Sequence, residues 1–228
     1  KDMRLFELYM AGKLRKYSDA LSFGSMYDLL LFEPDKAHET YFVLDDRSML
    51  KEIGGKQPRA TKAYKTWREE LEEKNKDKIV VNIDEWTKAL EMIDRIVDSG
   101  VKDEYLAGQY QVEFNAFIED IPVRGFYDCL GDGSVTDSKS TQSIAKFRYD
   151  VFKFGYDIQA YIYTSVSGHK DFYWVAQEKV YPYTVNVYKA SDETLASGEH
   201  KFWKAVETIK EWLFENKEPK KSFKVEII

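Results

Sequence analysis

The sequence predicts an α/β fold in which helices flank a central mixed sheet. Successive changes of hydrophobic period carry this prediction. Before residue 109 apolar residues recur at helical spacing, whereas three segments after it show the shorter period of strands. Helical spacing then returns, followed by two more strand-like segments and a last helical one. This order is typical of a sheet covered by helices.

The first part of the chain, over about residues 1–108, is predicted to be helical. Its first helix is dense in apolar residues, carries Asp28 and ends before Pro34, because proline disfavours helix in the residue before it. Asn82 is followed three residues later by Glu85, which is an N-cap pattern that starts another helix. The predicted helices are 21–32, 60–76 and 83–99, with a loop at 51–59.

The second part, over about residues 109–215, is predicted to hold the sheet. Turn-forming residues at 131–134 indicate a short hairpin loop between two strands. We expect one domain over 1–228, with a mobile tail at 216–228. The predicted strands are 110–118, 122–130, 135–140, 172–179 and 184–189, and the predicted helices are 141–154, 156–166 and 198–215.

Composition excludes several classes of protein. The single cysteine, Cys129, rules out an internal disulfide and a cysteine-cluster metal site, and the count of three histidines argues against a histidine-rich zinc centre. No apolar run approaches the roughly 20 residues that cross a bilayer, so we expect no membrane partner and a cytoplasmic location. A net charge of −6 argues mildly against non-specific binding to nucleic acid.

The hairpin at 131–134 carries the candidate chemistry. If Leu130 faces Val135 across it, Asp128 lies opposite Asp137. Two carboxylates in such a position repel each other and call for a cation. Lys139 shares a sheet face with Asp137 and supplies one positive charge, and a divalent ion would supply the rest. Mg²⁺, or Mn²⁺, prefers oxygen ligands and usually takes one or two protein carboxylates.

The D-x-K tripeptide alone is a weak motif, and a surface hairpin with a fortuitous match is the competing interpretation. Its surroundings are more specific. Asp128, then Asp137-Ser138-Lys139, then Gln159 and Tyr163 at helical i, i+4 spacing resemble the RecB-like and RecE-like branch of the PD-(D/E)XK nucleases. The segments FGSMYDLLLFEP at 23–34 and DFYW to PYTV at 171–185 resemble further parts of the relatives of exonuclease VIII. The resemblance implies a restriction-endonuclease-like core.

The resemblance also implies roles for individual residues. Asp128 and Asp137 would bind the metal, and Lys139 would be the catalytic lysine. Gln159 and Tyr163 would support DNA or the lysine, and Glu113 matches an acidic position that we assign to the metal group.

One position departs from the family's pattern. Asp28 stands where the family has a helical histidine that contributes to metal binding. Aspartate is itself an oxygen ligand, so the change either preserves a metal contact or marks an inactive site.

Basic residues near the hairpin and in the first part are candidates for contact with DNA phosphates, which lysine and arginine commonly bind. The candidate DNA-binding residues are Arg59, Lys62, Lys146 and Arg148.

The resemblance implies a DNA exonuclease that acts from 5′ to 3′ on duplex ends in recombination or phage replication, in a bacterium or a phage-infected cell. It also implies linear duplex as substrate, a strand-annealing protein as partner and a homo-oligomeric ring. Two alternatives stay open. One is a monomeric RecB-like nuclease with another polarity or endonuclease activity. The other is a catalytically inactive DNA-binding or assembly module on the same fold.

Overall fold

A computed structural model of the chain describes residues 19–214 together with positions 8 and 11. Helices and two short strands make up the part before Tyr105, and the longer strands follow. In chain order the elements are α1 (Asp19–Phe32), α2 (Pro34–Thr40), β1 (Tyr41–Leu44), α3 (Arg47–Ile53), a 3₁₀ turn (Pro58–Ala60), α4 (Lys62–Lys74), β2 (Ile79–Asn82), α5 (Ile83–Asp98), α6 (Val101–Tyr105), β3 (Gln109–Ile118), β4 (Ile121–Leu130), β5 (Ser134–Thr141), α7 (Ile144–Phe154), α8 (Tyr156–Ser167), β6 (Asp171–Glu178), β7 (Val185–Lys189) and α9 (Asp192–Phe214).

The main sheet has five strands in the order β3-β4-β5-β6-β7. β5 and β6 run parallel, whereas the other neighbouring strands are antiparallel. A parallel pair needs a crossover connection, and here α7 and α8 provide it between β5 and β6. The predicted α/β class with a central mixed sheet flanked by helices is confirmed.

Helix α5 follows directly from its sequence. Asn82 caps it by accepting a 3.1 Å hydrogen bond from the backbone N–H of Asp84. Its residues Trp86, Ala89, Met92 and Ile96 recur at helical spacing and are buried, so the helix packs one face into the core.

A buried network fixes helix α1 against the sheet and against α5. The Tyr27 hydroxyl donates a 2.6 Å hydrogen bond to Oε1 of Gln177 on β6. The amide of Gln177 in turn donates a 2.7 Å bond from Nε2 to the carbonyl of Met92 on α5. Because all three groups are buried, losing one partner would leave an unsatisfied polar atom. The network therefore holds the α1 segment that carries Asp28.

Helix α9 packs against α8 through an unusually close backbone approach. An ideal Cβ built on Gly198 would lie only 2.0 Å from the carbonyl oxygen of Asp157. The buried carboxylate of Asp157 also accepts a 2.8 Å hydrogen bond from the Ser197 hydroxyl and pairs with Lys201. α9 is thus anchored at the start of α8.

Three predictions about the elements need correction. The N-terminal part is not purely helical, because β1 and β2 form a parallel pair, from Tyr41↔Ile79 to Leu44↔Asn82. The predicted loop at 51–59 overlaps the end of α3 and the 3₁₀ turn. The last helix begins at Asp192 rather than at residue 198. The β1–β2 pair was missed because each of its strands has only four residues, too few to show a clear hydrophobic period. The predicted mobile tail at 216–228 lies outside the described residues.

Within the described ranges, no helix combines the length and the apolar character that crossing a bilayer requires.

Candidate active site

The β4–β5 hairpin forms as predicted at its turn. Gly131 donates a 2.9 Å backbone hydrogen bond to Ser134, and Leu130 pairs with Val135. The ladder then continues for one further pair, Cys129↔Thr136. Asp128 was expected directly opposite Asp137, but the described ladder stops before them, so the two residues are not a backbone pair.

The side chain of Asp128 replaces the missing ladder contact. Its Oδ2 accepts a 2.9 Å hydrogen bond from the backbone N–H of Ser138. Its Oδ1 accepts a longer bond, 3.4 Å, from the Gln111 side chain on β3. Gln111 has a positive φ of 50°, and the β3–β4 register passes from Tyr110↔Cys129 to Val112↔Tyr127 without pairing it. Asp128 therefore lies where two ladders are interrupted.

Asp137 and Lys139 form an ion pair next to helix α8. Asp137 is 1% exposed, and its Oδ1 accepts a 2.7 Å hydrogen bond from Nε2 of Gln159. Its Oδ2 pairs with the ammonium of Lys139. Lys139 also lies over the ring of Tyr156, 5.1 Å from the centroid, within the range of a cation–π contact. Its position is thus fixed by one carboxylate and one aromatic face.

Asp28 approaches the same charges from helix α1. Burial and the charge of Asp128 raise the pKa of Asp28 well above its usual range. Burial and the charge of Asp137 raise the pKa of Asp128 to about 7. Burial alone would lower the pKa of Lys139, but Asp137 and Asp128 outweigh it and raise that pKa. Three carboxylates therefore share one ammonium, which leaves an excess of negative charge when all are ionised.

Tyr163 and Glu113 lie outside this cluster of charges. The ring of Tyr163 packs edge-on against Phe114 and Tyr127, with centroids 5.3 and 5.2 Å away. Burial raises the pKa of Tyr163, and a hydrogen bond with Gln159 opposes that rise. Glu113 is exposed and accepts a 3.2 Å hydrogen bond from Asn115. It is not among the charges that act on Asp28, Asp128 or Lys139.

The four candidate DNA-binding residues divide into two places. Arg59 binds the buried Asp46 through its Nε, 2.9 Å from Oδ2, so its charge is already paired. Lys62 is exposed at the start of α4. Lys146 and Arg148 are exposed on α7, the helix that follows β5. The structure thus brings only the second pair onto an element adjoining the candidate catalytic strand.

The donor set suits a hard divalent cation. In the part of the chain that the structure describes, no three His, Cys, Asp or Glu side chains converge as a ready metal cage. Mg²⁺ does not need one, since it commonly takes one or two carboxylates and completes its octahedron with water and substrate phosphate. Asp128 and Asp137 supply two carboxylates beside an excess of negative charge, with Asp28 close enough to act on both.

Two residues of the site were not predicted. Gln111 could have been found by extending the β3–β4 register, in which residues whose numbers add to 239 pair, such as Ile118 and Ile121. Tyr156 could not have been found in this way, because nothing in the sequence distinguishes it from the other aromatics of α7 and α8. Its contact with Lys139 arises from the packing of α8 on β5.

The chain matches one family and shares a fold with a solved structure. A family model described as "PDDEXK-like domain of unknown function (DUF3799)" matches residues 7–228. A crystal structure from Eubacterium rectale, described as a "Putative exonuclease", is similar with a TM-score of 0.61 and 18% identity. The alignment covers 97% of this chain and 82% of that chain. No curated protein matches the sequence.

Proposed function

The chain belongs to the DUF3799 family of PDDEXK-like domains, which agrees with the PD-(D/E)XK nuclease resemblance of its motifs, and on that premise we propose that it is a metal-dependent DNA nuclease. The observation that carries the proposal is the cluster of Asp128, Asp137 and Lys139 at the interrupted end of the β4–β5 ladder. A buried and a half-buried carboxylate beside one lysine lower the stability of a sheet, so stability does not explain this cluster. Such clusters are common where charge is used for catalysis.

The protein's own groups have distinct parts in this proposal. Asp128 and Asp137 hold the cation, and the Ser138 N–H and Gln159 amide keep one oxygen of each carboxylate fixed. Lys139, held as an ammonium by its acidic neighbours, attracts the scissile phosphate and stabilises the negative charge that develops on it. Mg²⁺ or Mn²⁺, when bound there, would act as a Lewis acid and favour deprotonation of water for attack on phosphorus.

The finer assignments rest on the motif resemblance and on the name of the structural neighbour. We propose exonuclease activity from 5′ to 3′ on linear duplex ends, in recombination or phage replication. The same resemblance supports a homo-oligomer, a strand-annealing partner and a cytoplasmic location in a bacterium or phage-infected cell. Tyr163 would steady Gln159 in this site. Once substrate is bound, Glu113 would contribute to the metal site. The four basic residues would then contact the phosphates of the DNA.

An inactive DNA-binding module is the second candidate. The observation that favours it is Asp28, which stands in the position of a helical histidine and adds a third negative charge to the cluster. In that case the cluster of carboxylates would have no catalytic role.

Cleavage of labelled DNA separates the candidates. The substrates are a linear duplex labelled at either the 5′ or the 3′ end and a closed circle, each with Mg²⁺ and with a chelator. The proteins are wild type, Lys139→Ala and the control Lys170→Ala, which removes an exposed lysine at the other end of the sheet. We expect wild type and the control to cut with Mg²⁺ and Lys139→Ala to be at least about a hundredfold slower.

The other outcomes are equally informative. Equal cleavage by wild type and Lys139→Ala would refute the catalytic assignment. No cleavage by any of the three proteins, with binding retained, would favour the inactive module. Cutting of the circle would exclude a strict exonuclease, and the label released first gives the polarity.

A further inference from the structure

Two lysines outside the catalytic cluster converge on one aromatic ring. The ammonium of Lys88, on α5, lies 5.5 Å from the ring centroid of Phe23. The ammonium of Lys179, just after β6, lies 5.7 Å from the same centroid. Phe23 belongs to α1, so three separate elements bring these groups together.

Lys179 is an unusual lysine. It is only 8% exposed, although lysine is rarely buried unless it is paired. Among the described residues neither Lys179 nor Lys88 forms a salt bridge with an acid. Burial and the charge of Lys88 lower the pKa of Lys179. The nearby acid on α5, Glu91, accepts a 2.9 Å hydrogen bond from the Tyr183 hydroxyl instead.

Two like charges beside an apolar ring are unfavourable without a counter-charge. The face of an aromatic ring offsets only part of the cost of removing an ammonium from water. An anion between the two ammonium groups would relieve both desolvation and mutual repulsion. Lysine is a common ligand of phosphate for this reason.

The position of the pair relates it to the candidate active site. The backbone N–H of Lys179 donates a 2.8 Å hydrogen bond to the carbonyl of Thr141, at the end of β5. Thr141 is two residues beyond Lys139, or about 7 Å along a strand. Phe23 precedes Asp28 by five residues, or about 7.5 Å along α1. The two elements that supply Asp28 and Lys139 therefore also support the lysine pair.

We propose that Lys88 and Lys179 form an anion site that binds a backbone phosphate of the DNA strand whose scissile phosphate lies at Lys139. The proposal rests on the nuclease function and adds a positioning site to it. The Phe23 ring contacts both ammonium groups, and the two lysines provide the charge. The contact is made to phosphate only, so it adds affinity without sequence preference.

The salt dependence of DNA binding tests the proposal. Binding of a fluorescent linear duplex is measured by anisotropy in a chelator, so that no cleavage occurs, between about 50 and 200 mM salt. The proteins are wild type, Lys179→Met, Lys88→Met, Lys179→Arg and the control Lys170→Met. Methionine keeps an apolar stem against Phe23 and removes the charge, whereas arginine keeps the charge. Lys170 is exposed and precedes β6, at the opposite end of that strand.

The slope of log K against log salt is negative, and each lost phosphate contact should reduce its magnitude by about 0.9. We expect this loss and about a tenfold weaker affinity in Lys179→Met and Lys88→Met. Lys179→Arg and Lys170→Met should keep the wild-type slope. Thermal unfolding of each variant shows that it is folded, and Lys179→Met should be no less stable than wild type because a buried repulsion is removed.

Two failures are distinguishable. If wild type binds duplex and the methionine variants keep its slope, the lysine pair is structural and the phosphate site is overturned while the nuclease proposal stands. If wild type neither binds nor cuts duplex, the nuclease proposal fails and this site fails with it.

Discussion

The side chain of Gln159 donates a 2.7 Å hydrogen bond from Nε2 to Oδ1 of the buried Asp137. Gln159→Leu keeps the approximate volume and removes this donor, so the carboxylate loses its fixed orientation. We expect Mn²⁺ affinity, measured by titration calorimetry, and the cleavage rate to fall by about 10- to 100-fold. The exposed Gln57→Leu is the matched control and should change neither. Unchanged Mn²⁺ affinity in Gln159→Leu would exclude this positioning role.

The substitution Asp28→Asn on α1 should affect the affinity for metal and the free energy of unfolding differently. Removing the charge should weaken Mn²⁺ binding if Asp28 contributes to the site, because one of three nearby carboxylates is lost. Without metal, the free energy of unfolding should stay the same or rise, since Asp128 and Asp28 no longer repel each other. Calorimetry with Mn²⁺ and urea unfolding in a chelator measure the two effects. A variant that binds Mn²⁺ as wild type does would show that Asp28 is not a ligand.

Asp46 should make the stability of the protein depend on pH, at a place outside the cluster of Asp128, Asp137 and Lys139. Hydrogen bonds from Arg59 outweigh burial and, with Tyr64, lower the pKa of Asp46 in the folded state. A lowered folded pKa stabilises the protein above the unfolded pKa of about 3.9, and this contribution is lost as pH falls through the folded value. Asp46→Asn should cost about 1.5–3 kcal/mol near neutral pH, and the difference from wild type should shrink below about pH 4.

Urea unfolding at several pH values measures this difference. Asp45→Asn is the control, because Asp45 is exposed and its partner Arg47 is exposed as well. A difference for Asp46→Asn that stays constant from about pH 6 to about pH 3 would contradict the assignment.

Two helical glycines should respond oppositely to alanine. Gly198→Ala places a Cβ 2.0 Å from the carbonyl oxygen of Asp157, so α8 and α9 must separate. We expect a loss of about 3 kcal/mol in the free energy of unfolding. At Gly24 the nearest atom, Oγ of Ser140, is 3.9 Å away, and alanine should be neutral or stabilise α1 by up to about 1 kcal/mol. Equal effects of the two changes in urea unfolding would count against this packing.

Local signals in the sequence were sufficient for the hairpin. The run of turn-forming residues fixed the Leu130↔Val135 pair, and the two-residue strand period placed Asp137 and Lys139 on one face. The i, i+4 spacing of Gln159 and Tyr163 correctly put both on one side of α8. Only the structure shows that Gln159 reaches Asp137 while Tyr163 packs on aromatic rings.

Features that depend on distant packing were missed. The β1–β2 pair joins two short apolar runs far apart in the chain, and no local pattern indicates a parallel pairing of that kind. The left-handed backbone of Gln111 interrupts a strand whose sequence shows no glycine there. Nothing in the sequence distinguishes Lys179 from other lysines, and its burial and its contact with Phe23 of α1 appear only in the fold.

The hydrogen bond from the Ser138 amide to Asp128 has a consequence for observing the site. A main-chain proton that would ordinarily face a carbonyl is instead bonded to the Asp128 carboxylate, so it should sense the ionisation of that group and any ligand that the group binds. The amide resonance of Ser138 is therefore an internal probe, and its chemical shift and its rate of exchange with deuterium should follow every event at Asp128 without any label being introduced.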